Sequence, residues 1–304
     1  MDDHVHPTLR GQALVAEALL DSLSRFTGSL RVSSDFRRKL PGWQTSAERL
    51  GDNKYERYGV AHMMRVIFDV PFMRETNPDA FGRFNRMANE IERAEPLEIQ
   101  DALREYQSAR PHAGGKRPIS AMVARVLMRQ KRFSEARELY QAAQRAVPDY
   151  TSWYLEYVYF ALVCEEKLLG QLTGASRAQA AEAIEQGKFL LAHGVSETGF
   201  TERYVGRLHQ LRGDFAEAIP FLLASRRKLS GTDLVAADQA LVVSYAKTGQ
   251  FVQARELAAV GVARAGQFAP LYQNMLNELP ELEQAAHPAT ATNAPAGYGT
   301  TPTR

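Results

Sequence analysis

The sequence predicts an all-α protein assembled from repeated helix-turn-helix units, on three observations. Strand signals are nearly absent: no stretch alternates β-branched and polar residues, and no Asn-Gly or Asp-Gly hairpin turn occurs. The chain is rich in Ala, Leu, Arg, Glu and Gln, residues that lose little freedom in a helix. Three segments also look alike: QKRFSEARELYQAAQRAVP (130–148), RGDFAEAIPFLLASRRKL (212–229) and TGQFVQARELAAVGVARAG (248–266).

Each segment carries a short turn, a phenylalanine and, three positions on, an alanine: Phe133 and Ala136, Phe215 and Ala218, Phe251 and Ala254. Gly213 and Gly249 stand two residues before the phenylalanine in the second and third cases. A helical stretch precedes each: Ile119–Gln130, Thr201–Leu211 and Leu234–Lys247. The small residue lets two helices approach closely, and the aromatic fills the gap beside it. Ala218 and Ala254 are 36 residues apart, whereas Ala136 and Ala218 are 82 apart, which leaves room for one enlarged unit between them. That unit, Thr151–Gly194, is expected to continue its first helix to Leu169, turn through Gly170–Ser176 and return along Ala178–His193.

The period and the order of residues in these units resemble the tetratricopeptide repeat family. The segment 117–148 fits best, with Ala124, Ala136, Tyr140, Ala143 and Pro148 in sequence. The 199–230 unit keeps Gly206, Gly213, Ala218 and Ser225, and the 235–266 unit keeps Tyr245, Gly249, Ala254 and Gly261, but both lack the closing proline. The resemblance implies a right-handed α-solenoid of about four helix pairs over 113–283. Residues 1–112 are expected to form a helical N-terminal region, a cap or degenerate repeats over the first repeat or else a separate small domain, because a terminal repeat cannot bury both its faces alone. Helix candidates there are Leu9–Phe26, Tyr55–Phe68 and Asp79–Ala94, punctuated by Pro41-Gly42 and Val70-Pro71. PHAGGKRP (111–118) reads as the linker, and 284–304, rich in Ala, Thr, Pro and Gly, as a disordered tail.

Composition narrows the function classes. A formal net charge of +2 gives no global case for nucleic acid or a membrane surface. The single cysteine, Cys164, rules out an internal disulfide or a cysteine-rich zinc site, and its apolar neighbours point to burial. No run approaches the roughly 18 apolar residues of a membrane span, and the acidic start MDDHVHP is unlike a signal peptide, so the cytoplasm is the expected location. No phosphate loop, HExxH, nucleophile elbow or cofactor motif occurs, so neither an enzyme nor a cofactor is expected. His4 and His6 lack further ligands, His209 reads as packed inside its helix pair, and Glu165-Glu166 reads as a solvated face.

Charge patterning supplies the candidate site. From Arg110 to Arg132 there are seven basic residues and no acidic one, directly after a stretch holding Glu90, Glu92, Glu95, Glu98, Asp101 and Glu105. The two blocks either meet across neighbouring helices or serve a partner. Arg125 and Arg129 are four apart on one helix face, as are Arg203 and Arg207. In the family resembled, first helices line a concave groove. That register places Arg125, Arg129, Arg203, Arg207 and Lys247 along the groove, with Tyr159 beside them. Arginine forks suit carboxylates, so the expected function is a protein-protein interaction scaffold or adaptor for an acidic peptide or protein surface. A peptide- or ligand-sensing regulator is the alternative. A chaperone-type carboxylate clamp is not implied, since the only asparagines within the repeats are Asn274 and Asn277. Self-association through an uncovered apolar face at Leu271–Leu282 is also expected as an option; nucleic acid is not an expected partner.

Overall fold

The computed structural model describes residues 9–26, 32–33, 35–108, 118–195 and 197–286. Most of the proposed linker, the His4–His6 pair and nearly all of the expected tail lie outside them. The described residues are helical and contain no strand. In chain order the helices are α1 (Leu9–Ser24), α2 (Phe36–Lys39), α3 (Trp43–Arg49), α4 (Lys54–Ile67), α5 (Pro71–Thr76), α6 (Pro78–Arg93), α7 (Leu97–Ser108) and α8 (Ile119–Arg129). They continue with α9 (Phe133–Arg145), α10 (Ser152–Leu169), α11 (Gly174–Ala192), α12 (Phe200–Arg212), α13 (Phe215–Arg226), α14 (Gly231–Lys247), α15 (Phe251–Arg264) and α16 (Ala269–Ala286). The N-terminal helix candidates are realised within two residues as α1, α4 and α6.

Three of the helix pairs are joined by the same turn. In each, a residue with positive φ ends the first helix: Lys131 at 61°, Gly213 at 88° and Gly249 at 76°. The next amide reaches back five residues, Arg132 to the Leu127 carbonyl, Asp214 to His209 and Gln250 to Tyr245, at 2.8–2.9 Å. The positive-φ residue itself donates to the carbonyl three before it, at 2.9–3.1 Å. These two bonds are the Schellman pattern that satisfies orphan carbonyls at a helix end. Arg132, Asp214 and Gln250 then share one backbone conformation, φ −82 to −88° and ψ 56 to 61°, and the phenylalanine opens the next helix. Ala136, Ala218 and Ala254 are fully buried at the crossing that follows.

Lysine replaces glycine in the first of these turns, and a side chain in the left-handed region carries a steric cost. Lys131→Gly is therefore expected to stabilise the chain by about 0.5–1 kcal/mol, read as a higher denaturation midpoint. A lower midpoint would mean that the lysine makes a compensating contact.

The turn between α10 and α11 is built differently, and it is shorter than expected, residues 170–173. Gly170 (φ 74°) stops α10, and Thr173 then caps α11 by accepting from the Ser176 amide at 3.1 Å. Glu165 binds the Thr173 hydroxyl at 3.1 Å and also accepts from the Ser176 hydroxyl, while Arg137 of α9 reaches its other oxygen at 2.6 Å. This corrects the reading of Glu165 as solvated: it is 3% exposed and organises the turn. Burial alone would raise its carboxyl. The Ser176 and Thr173 hydrogen bonds and Arg137 outweigh burial and hold it below the usual value of 4.5. Its contribution is therefore present above the ordinary glutamate range and lost as pH falls through the lowered folded value. The midpoint difference between the parent chain and Glu165→Gln is expected to be widest at neutral pH and to close in acid. A difference independent of pH would show that the hydroxyls, not the charge, matter.

The chain divides into two compact units, Met1–Leu190 and Leu191–Arg304, with the division falling inside α11 rather than near residue 112. In the first unit α4 packs on α6 and α8, and the order continues α7 on α8, α8 on α9 and α9 on α10. One core runs from Tyr55, Tyr58 and Met64 of α4 through Leu103 and Ile119 to Tyr140, Tyr157 and Cys164. The N-terminal helices and the first repeat-like pair thus share a single apolar interior. Glu56 of α4 tightens that joint: it accepts from the Ser120 amide at 3.0 Å and the Ser120 hydroxyl at 2.6 Å. It caps an α8 whose own N-cap residue, Pro118, offers no side-chain bond. In the second unit α12 to α16 pack in chain order, and α16 also contacts α14.

One face of Leu271–Leu282 is covered within the chain, while Leu271 itself stays exposed. Tyr272, Met275 and Leu279 are 5% exposed or less, packed with Ala254 and Ala258 of α15 and with Val235, Val242 and Ala246 of α14. The apolar face expected to be uncovered is thus occupied by α14 and α15. Among the described residues no helix is long and apolar enough to cross a membrane.

Candidate partner-binding site

The six residues singled out by the sequence fall into different environments. In the first unit, Arg125 and Arg129 project from one face of α8, as their four-residue spacing requires, and both line a cleft of about 400 Å³ between α7 and α8. The opposite wall carries Glu98, Asp101 and Glu105 of α7, and the floor holds Ala102, Met122 and Val126. The acidic and basic blocks noticed in the sequence do face one another across neighbouring helices.

Arg125 turns away to Glu156 of α10 at 3.5 Å, a carboxylate only 2% exposed, while its own side chain stays half-exposed. Arg125 also neighbours the buried Tyr140 hydroxyl. Burial pushes that hydroxyl well above its ordinary range, and the guanidinium pulls it partly back. Asp101 pairs within its own helix with Arg104, and Arg104 also reaches Glu92 at 3.8 Å. Among the described residues, the Arg129 and Glu98 side chains have no ion-pair partner, and both are exposed.

Tyr159 does not stand open beside these arginines. It is 6% exposed, with its ring set edge-on to Phe160 at 5.1 Å, because the face of α10 that carries it is packed.

In the second unit Arg203 is 13% exposed at its side chain and pairs with Asp233 of α14 at 2.6 Å. Its guanidinium also lies 5.5 Å from the Tyr204 ring centre and 5.9 Å from that of Phe200. Arg203 therefore joins α12 to α14 and is not presented to solvent. Arg207 is half-buried and engaged in the fold, whereas Lys247 is exposed at the end of α14. His209, expected to be packed, is 6% exposed and stacks on Phe221 at 5.6 Å.

No protein-family model, curated protein or solved structure matches the chain.

Buried charge in this unit is structural in its geometry. Asp238 of α14, 1% exposed, accepts from Arg226 Nε of α13 at 2.6 Å and from the Tyr272 hydroxyl of α16 at 2.8 Å. Glu202 of α12 is held by Lys228 in the turn after α13. The sequence reading missed Asp238, Glu156 and Glu202 as packing residues. Each is made interior by a partner elsewhere in the chain: Arg226 and Tyr272 for Asp238, Arg125 for Glu156 and Lys228 for Glu202. Cys164 is fully buried, and burial pushes its thiol up to about 11, which removes its nucleophilic character. Among the described residues no group of three or more His, Cys, Asp or Glu is placed to hold a metal.

Proposed function

We propose that the chain is a non-catalytic interaction scaffold: an array of tetratricopeptide-like helix pairs, of the α-solenoid kind, that works in the cytoplasm and binds a partner protein through an acidic segment. The observation that carries this reading is the α7–α8 cleft, where Arg129 stands exposed and unpaired beside an apolar floor. A guanidinium kept on a rigid helix and left without an internal carboxylate is poised for an external one, and the preformed walls reduce the ordering cost of binding. The thrice-repeated Schellman turn, with phenylalanine and buried alanine in register, supports the repeat reading.

Arginines already paired with this chain's own carboxylates are poor probes of partner binding. Arg125→Glu would set a carboxylate against the buried Glu156 and is expected to lower stability by about 2–3 kcal/mol, seen as an earlier thermal transition. Arg129→Glu and Lys247→Glu break no internal pair, but each sets a carboxylate in the last turn of its helix, so a stability loss of about 1 kcal/mol or less is expected in each. Affinity co-purification with mass spectrometry should therefore compare the parent with Arg129→Glu, with Lys247→Glu as a second exposed position. A partner recovered by the parent and lost with Arg129→Glu supports the proposal. Recovery of no partner by the parent chain overturns it.

A further inference from the structure

We infer that the α7–α8 cleft accepts a partner segment of mixed charge: an amphipathic stretch that offers an acidic group to Arg129 and a basic group to Glu98, with an apolar residue between them on the cleft floor. This rests on the scaffold reading above and adds the chemistry of the occupant.

The two walls carry opposite charge, yet Arg129 and Glu98 are not paired across the cleft: Arg125 is drawn to α10 and Asp101 to Arg104. Arg129 and Glu98 are exposed. If these charges neutralised each other, the cleft would present only its apolar floor and would select by shape alone. As it stands, a purely acidic segment meets Arg129 but is opposed by Glu98 and Asp101, and a purely basic one meets the reverse. Like-charge opposition is a means of rejecting wrong partners, so the walls together select a segment with both signs, in one orientation. The floor, with Ala102 buried and Met122 and Val126 half-buried, supplies an adaptable apolar seat between the charges. Two adjacent helix faces bounding the cleft suit a helical segment laid along them, with anchors three or four residues apart.

The test is selection of a displayed random library of 12-residue peptides on the immobilised full chain, in the parent and in the exposed-wall variants Glu98→Lys and Arg129→Glu. The parent should enrich peptides holding an acidic and a basic residue around an apolar one. Glu98→Lys should shift enrichment to acidic peptides and Arg129→Glu to basic ones, with affinity for a synthetic mixed-charge winner falling about tenfold in each. Acidic-only winners on the parent would overturn the inference, as would the same winners on all three chains or no enrichment at all. The outcome is separable from that of the scaffold reading. A co-purifying partner retained by both variants would leave the scaffold standing and remove the cleft as its seat. Mixed-charge enrichment without any co-purifying partner would keep the cleft chemistry and sink the scaffold.

Discussion

Gly261→Ala is expected to unfold the second unit well below the temperature at which the parent melts. A Cβ at Gly261 would stand 2.0 Å from Cδ1 and 2.3 Å from Cγ of Tyr272, where no side chain fits. The ring cannot simply swing aside. It is 2% exposed, and its hydroxyl donates to Asp238 at 2.8 Å, so relief of the overlap means losing that bond or moving α16 off α15. Overpacking of this kind costs about 3 kcal/mol, which corresponds to a melting shift on the order of 10 °C for a unit of this size. Gly249→Ala is the control. That glycine has φ 76° and nothing within 4 Å of an added Cβ, so only the backbone cost of about 1 kcal/mol is expected. Equal losses in the two variants would show that α16 does not pack on α15 in solution.

Asp238→Ala is the second large effect. The carboxylate joins three helices through Arg226 and Tyr272, and its removal leaves a buried tyrosine hydroxyl and a guanidinium without their acceptor. Breaking a buried pair in this way costs about 3–5 kcal/mol. Asp238→Asn keeps an acceptor for Tyr272 and should lose less. Their pH behaviour separates charge from shape. Burial raises the Asp238 carboxyl above its ordinary 3.8, although Tyr272 and Arg226 oppose the rise. The folded chain thus holds that proton more tightly than the unfolded one. The contribution of Asp238 is then greatest below the ordinary value and declines as pH rises through the raised folded value. Asparagine lacks that dependence, so denaturation midpoints of parent and Asp238→Asn should diverge on acidification. Parallel curves would mean that the carboxyl is solvated.

The residues that made the helix pairs legible are those whose requirement is local. Phe133, Phe215 and Phe251 mark where second helices begin, Gly213 and Gly249 mark the left-handed step before them, and each does so within a few positions of its partner. What escaped the sequence depends on groups far apart in the chain. Glu165 resembles Glu166 in every local respect, and only Arg137, 28 residues earlier by their numbering, together with the α11 cap, makes one of them interior. Leu271–Leu282 looked open because Gly261, legible as a small residue of the repeat pattern, does not reveal in the sequence that it admits Tyr272 of α16. The candidate site was half legible. Its two charged blocks and the Arg125–Arg129 face could be read, but the burial of Tyr159 and the commitment of Arg203 to Asp233 belong to the tertiary packing.

Glu56 gives the first repeat-like pair a fixed beginning. Its carboxylate holds the amide and hydroxyl of Ser120, 64 positions later, so the opening turn of α8 is completed by a helix outside the repeats. A helix pair duplicated in the gene just ahead of α8 would have to part these two residues, leaving α8 without its cap and Glu56 without its donors. Lengthening by duplication of a helix pair is closed at this boundary. The same joint forbids trimming: an expression fragment beginning at residue 118 would expose Ile119 and strand the amides that Glu56 serves, so the smallest natural unit for dissection starts before α4.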